Sequence, residues 1–120
     1  MSLFSKKRKI NSPGFILRTD VHSHILPGID DGAENIDESV NMLKAFAEQG
    51  FTKVIATPHV ASERYNNTPE IIKSAYLELI KAAEREDIDI SIEYAAEYLA
   101  DNYFLDLIQA GYFLLFQTAQ

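Results

Sequence analysis

Five side chains in this sequence are well suited to hold a metal ion: His22, His24, Asp31, His59 and Glu97. The first two histidines lie one residue apart in the run Thr19-Asp20-Val21-His22-Ser23-His24-Ile25-Leu26-Pro27-Gly28-Ile29-Asp30-Asp31-Gly32. Side chains alternate in direction along an extended segment, so His22 and His24 share a face and aim both imidazoles at one point. Two imidazoles so placed chelate a divalent cation. Asp30 and Asp31 repel each other unless a cation or a helix N-terminus offsets their charge; turn chemistry alone accounts for such a pair, and Asp31, nearer the helix start, is the preferred ligand. Glu97 follows Ala95 and Ala96, which leave space beside its carboxylate, and a carboxylate can bridge two ions through its two oxygens. The chain has no cysteine, so only nitrogen and oxygen donors are available, a set that suits Mn, Fe, Zn or Mg. Arg64, with Tyr65 in the loop after His59, is the candidate for clamping a phosphate oxygen, against the ordinary reading of an exposed loop arginine.

The elements that must position these groups follow a strand-helix alternation. Leu17 to His24 reads as a strand, and a helix follows Gly32 with Asn35 as N-cap, Glu38 three residues on, and Ile36, Val40, Leu43 and Ala47 as its inner stripe, ending at Gly50. Lys53 to Thr57 is a short apolar strand running into Pro58-His59. A second helix starts at Thr68-Pro69, with Ile71, Ala75, Leu79 and Ala83 inward and Ile72, Tyr76 and Ile80 beside them. The third strand alternates, with Ile88, Ile90, Ile92 and Tyr94 on the apolar face. A short helix with Phe104, Leu105 and Ile108 inward ends at Gly111, and Tyr112 to Phe116 reads as a fourth strand. The class is α/β, built from parallel βα units. His22 and His24, His59 and Glu97 then end successive strands, on the rim where parallel α/β folds build their sites.

The chain has 120 residues, enough for one domain with a real core, and 47% of them are apolar. Residues 1–17, with the basic cluster Lys6 to Lys9, read as a disordered leader hinged at Pro13-Gly14, and 18–120 as the folded part. No membrane span or signal peptide is expected, and a cytoplasmic location fits the lack of cysteine. A net charge of -7 and a pI near 4.8 argue against nucleic acid as a partner.

Taken together, Asp20 to Ala33, Ala56-Thr57-Pro58-His59 and Ala95-Ala96-Glu97-Tyr98 resemble the PHP superfamily of polynuclear metal phosphoesterases. The resemblance is strongest to the bacterial manganese-dependent protein-tyrosine phosphatases of capsule and exopolysaccharide operons. It spans about residue 19 to about residue 112, and it implies that the domain is about half of a distorted seven-stranded barrel. It also implies that His22 and His24 bind one metal, Glu97 bridges two, His59 binds a second and Asp31 a third. The implied metal is manganese, with two or three ions in a complete site. The implied reaction is hydrolysis of phosphotyrosine on an autokinase of polysaccharide export, with metal-activated water in place of a cysteine nucleophile.

The family's remaining ligands, a histidine and a later Asp-x-His, belong to its second half, and the three histidines of this chain are already used. The chain is therefore expected to be the N-terminal half of such a domain, from a truncated or frameshifted gene or by proteolysis. Its open sheet edges should favour a homo-oligomer with two half-barrels facing each other. Two other readings fit the same residues: another metallohydrolase of PHP or amidohydrolase type acting on a small phosphate ester, and a non-catalytic remnant that binds metal.

Overall fold

The computed structural model of the chain describes residues 18–111 and 117–118; the expected leader and the expected strand Tyr112 to Phe116 lie outside them. β1 (Thr19–Ser23), β2 (Lys53–Ala56) and β4 (Ser91–Tyr94) form a parallel sheet in the order β1-β2-β4. Two further strands, β3 (His59–Val60) and β5 (Glu97–Tyr98), pair in parallel as a second small sheet. They are too short for any periodicity to reveal. β6 (Gln117–Thr118) pairs antiparallel with β4, a departure from the all-parallel expectation.

The two sheets are one ladder with a gap. Ala56 pairs with Tyr94, and His59 pairs with Glu97, three residues further along both strands. Backbone bonds run through the gap, from Ala95 N to Ala56 O (2.8 Å), Glu97 N to Pro58 O (2.8 Å) and Leu99 N to Val60 O (3.0 Å). Pro58 has no N–H to donate, so the register survives while the strand is interrupted.

The helices begin and end as their caps dictate. Asn35 Oδ1 accepts from Glu38 N (2.9 Å) to start α1 (Ile36–Glu48), and Glu38 reaches back to Glu34 N (2.8 Å). Thr68 Oγ1 accepts from Ile71 N (3.2 Å) ahead of α2 (Pro69–Arg85), with Pro69 at the position that needs no N–H. Asp101 caps α3 (Asn102–Ala110), which ends on Gly111 in the left-handed conformation. Among the described residues no helix is long and apolar enough to cross a membrane.

The core lies between the main sheet and α1 and α2. Ile25, Leu26, Leu43, Val54, Ile72, Tyr76 and Leu79 are almost wholly buried, and Tyr76 donates its hydroxyl to Ile92 O (2.9 Å). Each such side chain contributes about 1.5–3 kcal/mol on burial, so packing rather than helix propensity holds α2 on the sheet. Ile71, expected in the inner stripe of α2, is exposed, and Ile72 takes its place. Apolar residues at both positions fit the spacing, and only docking against β2 and β4 selects the face. In α3, Leu105 and Ile108 point to solvent and Leu107 packs on the core instead. Asn102, Asp106 and Gln109 share the polar face of α3, but its apolar arc covers more than half the helix, so periodicity could not choose which part of that arc packs inward.

Candidate metal centre

The end of β1 presents the paired histidines through a slip in its register. Asp20 pairs with Val54 and Ser23 with Ala56, so three steps along β1 match two along β2. The slip has a local cause: Asp20 Oδ1 accepts from His22 N (2.9 Å), which removes that donor from the ladder. Ser23 turns inward and donates its hydroxyl to Ile55 O (2.9 Å), while His22 and His24 emerge on the rim with their Nε2 atoms 3.3 Å apart.

His59 and Glu97 reach the same place from the paired strands β3 and β5. Glu97 Oε2 lies 3.2 Å from His24 Nε2, 3.5 Å from His22 Nε2 and 3.3 Å from His59 Nδ1. This oxygen is buried, yet it accepts no hydrogen bond. A buried carboxylate oxygen without a donor is costly, and three ring nitrogens turned toward it form the donor set a divalent cation takes. His22, His24 and Glu97 form one group able to hold an ion, and His24, Asp31 and His59 form an alternative one, with His59 Nε2 and Asp31 Oδ1 3.3 Å apart. His24 belongs to both groups. The residues fit metal.

The neighbouring aspartates have opposite surroundings. Asp31 is 63% exposed, whereas the Asp30 side chain is 1% exposed and accepts three hydrogen bonds. These come from His24 Nδ1 (2.8 Å) and His59 N (3.1 Å) to Oδ2, and from Gly32 N (3.0 Å) to Oδ1. Burial alone would push the Asp30 carboxyl up, but these bonds, with the attraction of His24, outweigh it and hold the group below its usual value.

Two glycines let the turn close: Gly28 has φ +69 and donates to Ala33 O (2.8 Å), and a Cβ at Gly32 would overlap the backbone and Cβ of His24. Asn67, buried, donates its amide to both Ile29 O and His59 O (2.8 Å each), tying the aspartate turn to β3.

Arg64 is exposed, with its guanidinium 5.9 Å from the centre of the Tyr65 ring. Tyr65 in turn stacks on His59 (5.3 Å, 15°), and His59 on His24 (4.5 Å, 28°). The structure thus places Arg64 one ring away from the histidine cluster rather than in it.

Sequence reading missed Asp30, Thr57 and Asn67 as neighbours of the site. Thr57 Oγ1 lies 2.9 Å from His22 Nδ1. A hydroxyl or carboxylate near a histidine in space has no signature in spacing; for Asp30 the only hint was a second acid beside Asp31.

At the ends of its parallel strands, together with the turn after β1, the α/β frame gathers three imidazoles and the carboxylates of Glu97 and Asp31 into a candidate metal centre. The profile of the CpsB/CapC family, described by capsular polysaccharide synthesis, matches residues 18–119, and the chain belongs to that family. Over 73 residues it is 40% identical to the tyrosine-protein phosphatase YwqE of Bacillus subtilis, a match covering 61% of this chain and 29% of that protein. Over 90 residues it is 30% identical to the tyrosine-protein phosphatase CpsB of Streptococcus pneumoniae, covering 75% of this chain and 36% of the other.

The fold is similar to one solved in crystal structures of those two proteins, described as unique metal-dependent tyrosine phosphatases. The TM-score is 0.72 at 32% identity, over 80% of this chain and 39% of the other. The chain thus spans about a third of the length of the relatives it matches.

Proposed function

We propose that this chain carries part of the metal site of a metal-dependent protein-tyrosine phosphatase. The observation that supports the reading is the convergence of His22, His24 and His59 on the orphaned Oε2 of Glu97. In this reading His22 and His24 would hold one ion, His59 and Asp31 would take part in holding others, and the Glu97 carboxylate would be shared between them. Bound metal would supply Lewis-acid stabilisation of the phosphoryl oxygens and a lowered pKa for water.

The chain's own residues supply the rest. The imidazoles and carboxylates hold a fixed donor geometry that need not reorganise as charge develops. The Tyr65 ring beside His59 would offer an aromatic wall, and Arg64, 5.9 Å from the centre of that ring, would meet a phosphate oxygen of an arriving ester. Cysteine is absent from the sequence, so no thiolate nucleophile is available from this chain.

The same reading takes manganese as the metal and a polysaccharide-export autokinase in the cytoplasm as the phosphotyrosine substrate. It takes the sheet as about half of a distorted barrel, whose open edges favour a homo-oligomer. The test is hydrolysis of a phosphotyrosine peptide and of para-nitrophenyl phosphate by the Mn²⁺-loaded chain, beside metal analysis of the same sample. Manganese-dependent turnover that His24→Ala abolishes is the expected result. Metal uptake without turnover would leave a metal-binding module; neither would remove the reading.

A further inference from the structure

Asp30 is the most enclosed acid of the cluster and is not among the residues that can hold an ion in either candidate group. Its Oδ2 faces two donors, His24 Nδ1 at 2.8 Å and the His59 backbone N–H at 3.1 Å, while Oδ1 takes the Gly32 N–H at 3.0 Å. An ionised carboxylate can only accept. Neutral His24 must therefore carry its proton on Nδ1, leaving on Nε2 a lone pair that faces His22 Nε2 at 3.3 Å and Glu97 Oε2 at 3.2 Å. The corresponding neighbour of His22 does not decide its tautomer: the Thr57 hydroxyl, 2.9 Å from His22 Nδ1, can donate as well as accept.

We infer that Asp30 is the positioning residue of this centre: it fixes the His24 tautomer that leaves Nε2 able to bind metal and holds the His59 backbone in the same grip. His24 belongs to both candidate groups and His59 to one of them, so a single carboxylate acts on whichever group the one free lone pair of His24 joins. Groups that orient a ligating imidazole in this way typically change metal affinity by about 10–100-fold when removed. This rests on the metal-site reading above, and its test is arranged so that the two can fail separately.

The experiment uses the full chain, ¹⁵N-labelled and metal-free, at about pH 8, where an ordinary imidazole is neutral. Long-range ¹H–¹⁵N spectra report the His24 tautomer, and Zn²⁺ titration calorimetry reports affinity. The wild type is expected in the Nδ1–H form. Asp30→Ala should shift His24 toward Nε2–H and lower Zn²⁺ affinity by about 10–100-fold, with Asp30→Asn between the two. Asn67→Ala loosens the same turn without touching a ring nitrogen; it should lower the melting temperature and leave the tautomer unchanged. A wild-type His24 in the Nε2–H form overturns the inference even if no Asp30 variant folds. So does an Asp30→Ala protein that binds Zn²⁺ within twofold of wild type. Lack of Zn²⁺ uptake by the wild type would instead remove the metal-site reading and leave the tautomer spectrum to decide the role of Asp30.

Discussion

His59 and Glu97 sit directly opposite each other in the register of β3 and β5, and that pairing brings His59 Nδ1 to within 3.3 Å of Glu97 Oε2. Two residues remote in sequence are held at ligand distance by backbone bonds rather than by their own attraction. The site is therefore as rigid as the ladder that carries it, as a preorganised centre requires.

The shared position of His24 makes its loss costlier than that of its neighbour. His24→Ala removes a donor from both candidate groups and His22→Ala from one. Calorimetric titration with Mn²⁺ or Zn²⁺ should show His24→Ala lowering affinity by at least roughly tenfold, because its one free lone pair serves whichever group is filled, and His22→Ala lowering it less, because His24, Asp31 and His59 still offer a group. Equal behaviour of the two variants would contradict the assignment.

Glu97→Gln should separate stability from binding. A glutamine amide can donate to a ring nitrogen where the carboxylate oxygen now finds no donor. The metal-free variant should gain about 0.5–1.5 kcal/mol in urea unfolding while its metal affinity falls. A less stable metal-free variant would show that the oxygen is satisfied in some other way.

Gly32→Ala should damage fold and site together, because the added methyl would occupy the space of the His24 carbonyl and Cβ. Backbone must move to admit it, at an expected cost of about 1–3 kcal/mol by denaturant titration. Metal affinity should drop as His24 shifts.

Tyr94 supplies a pH dependence away from the metal groups. Burial raises its phenol above the ordinary value of 10.0. In the unfolded chain the phenol ionises near 10, while in the folded chain it still holds its proton, so folding stability is whole below about pH 10 and falls as pH rises further. Tyr94→Phe should flatten that alkaline fall when urea midpoints are compared between about pH 9 and pH 11.

Much of this was legible along the chain because it depends on near neighbours. The caps at Asn35 and Thr68, the ends at Gly50 and Gly111, and the paired direction of His22 and His24 all follow from interactions within a few residues. The Pro58 break and the short strands beyond it left no such trace, and the facing of α2 and α3 was ambiguous because apolar residues on them fit more than one stripe.

By itself the sequence determined the α/β class, the helix boundaries and the donor types able to meet at the strand ends, since spacing and side-chain chemistry are local properties. The tertiary structure alone decided that His59 pairs with Glu97, that Glu97 Oε2 lies orphaned among three imidazoles, and that Asp30 is enclosed while Asp31 stays open. Adjacent aspartates are indistinguishable in a string of letters. Their fates part only when the turn at Gly32 folds onto His24 and Asn67 draws it against β3, contacts made across the fold.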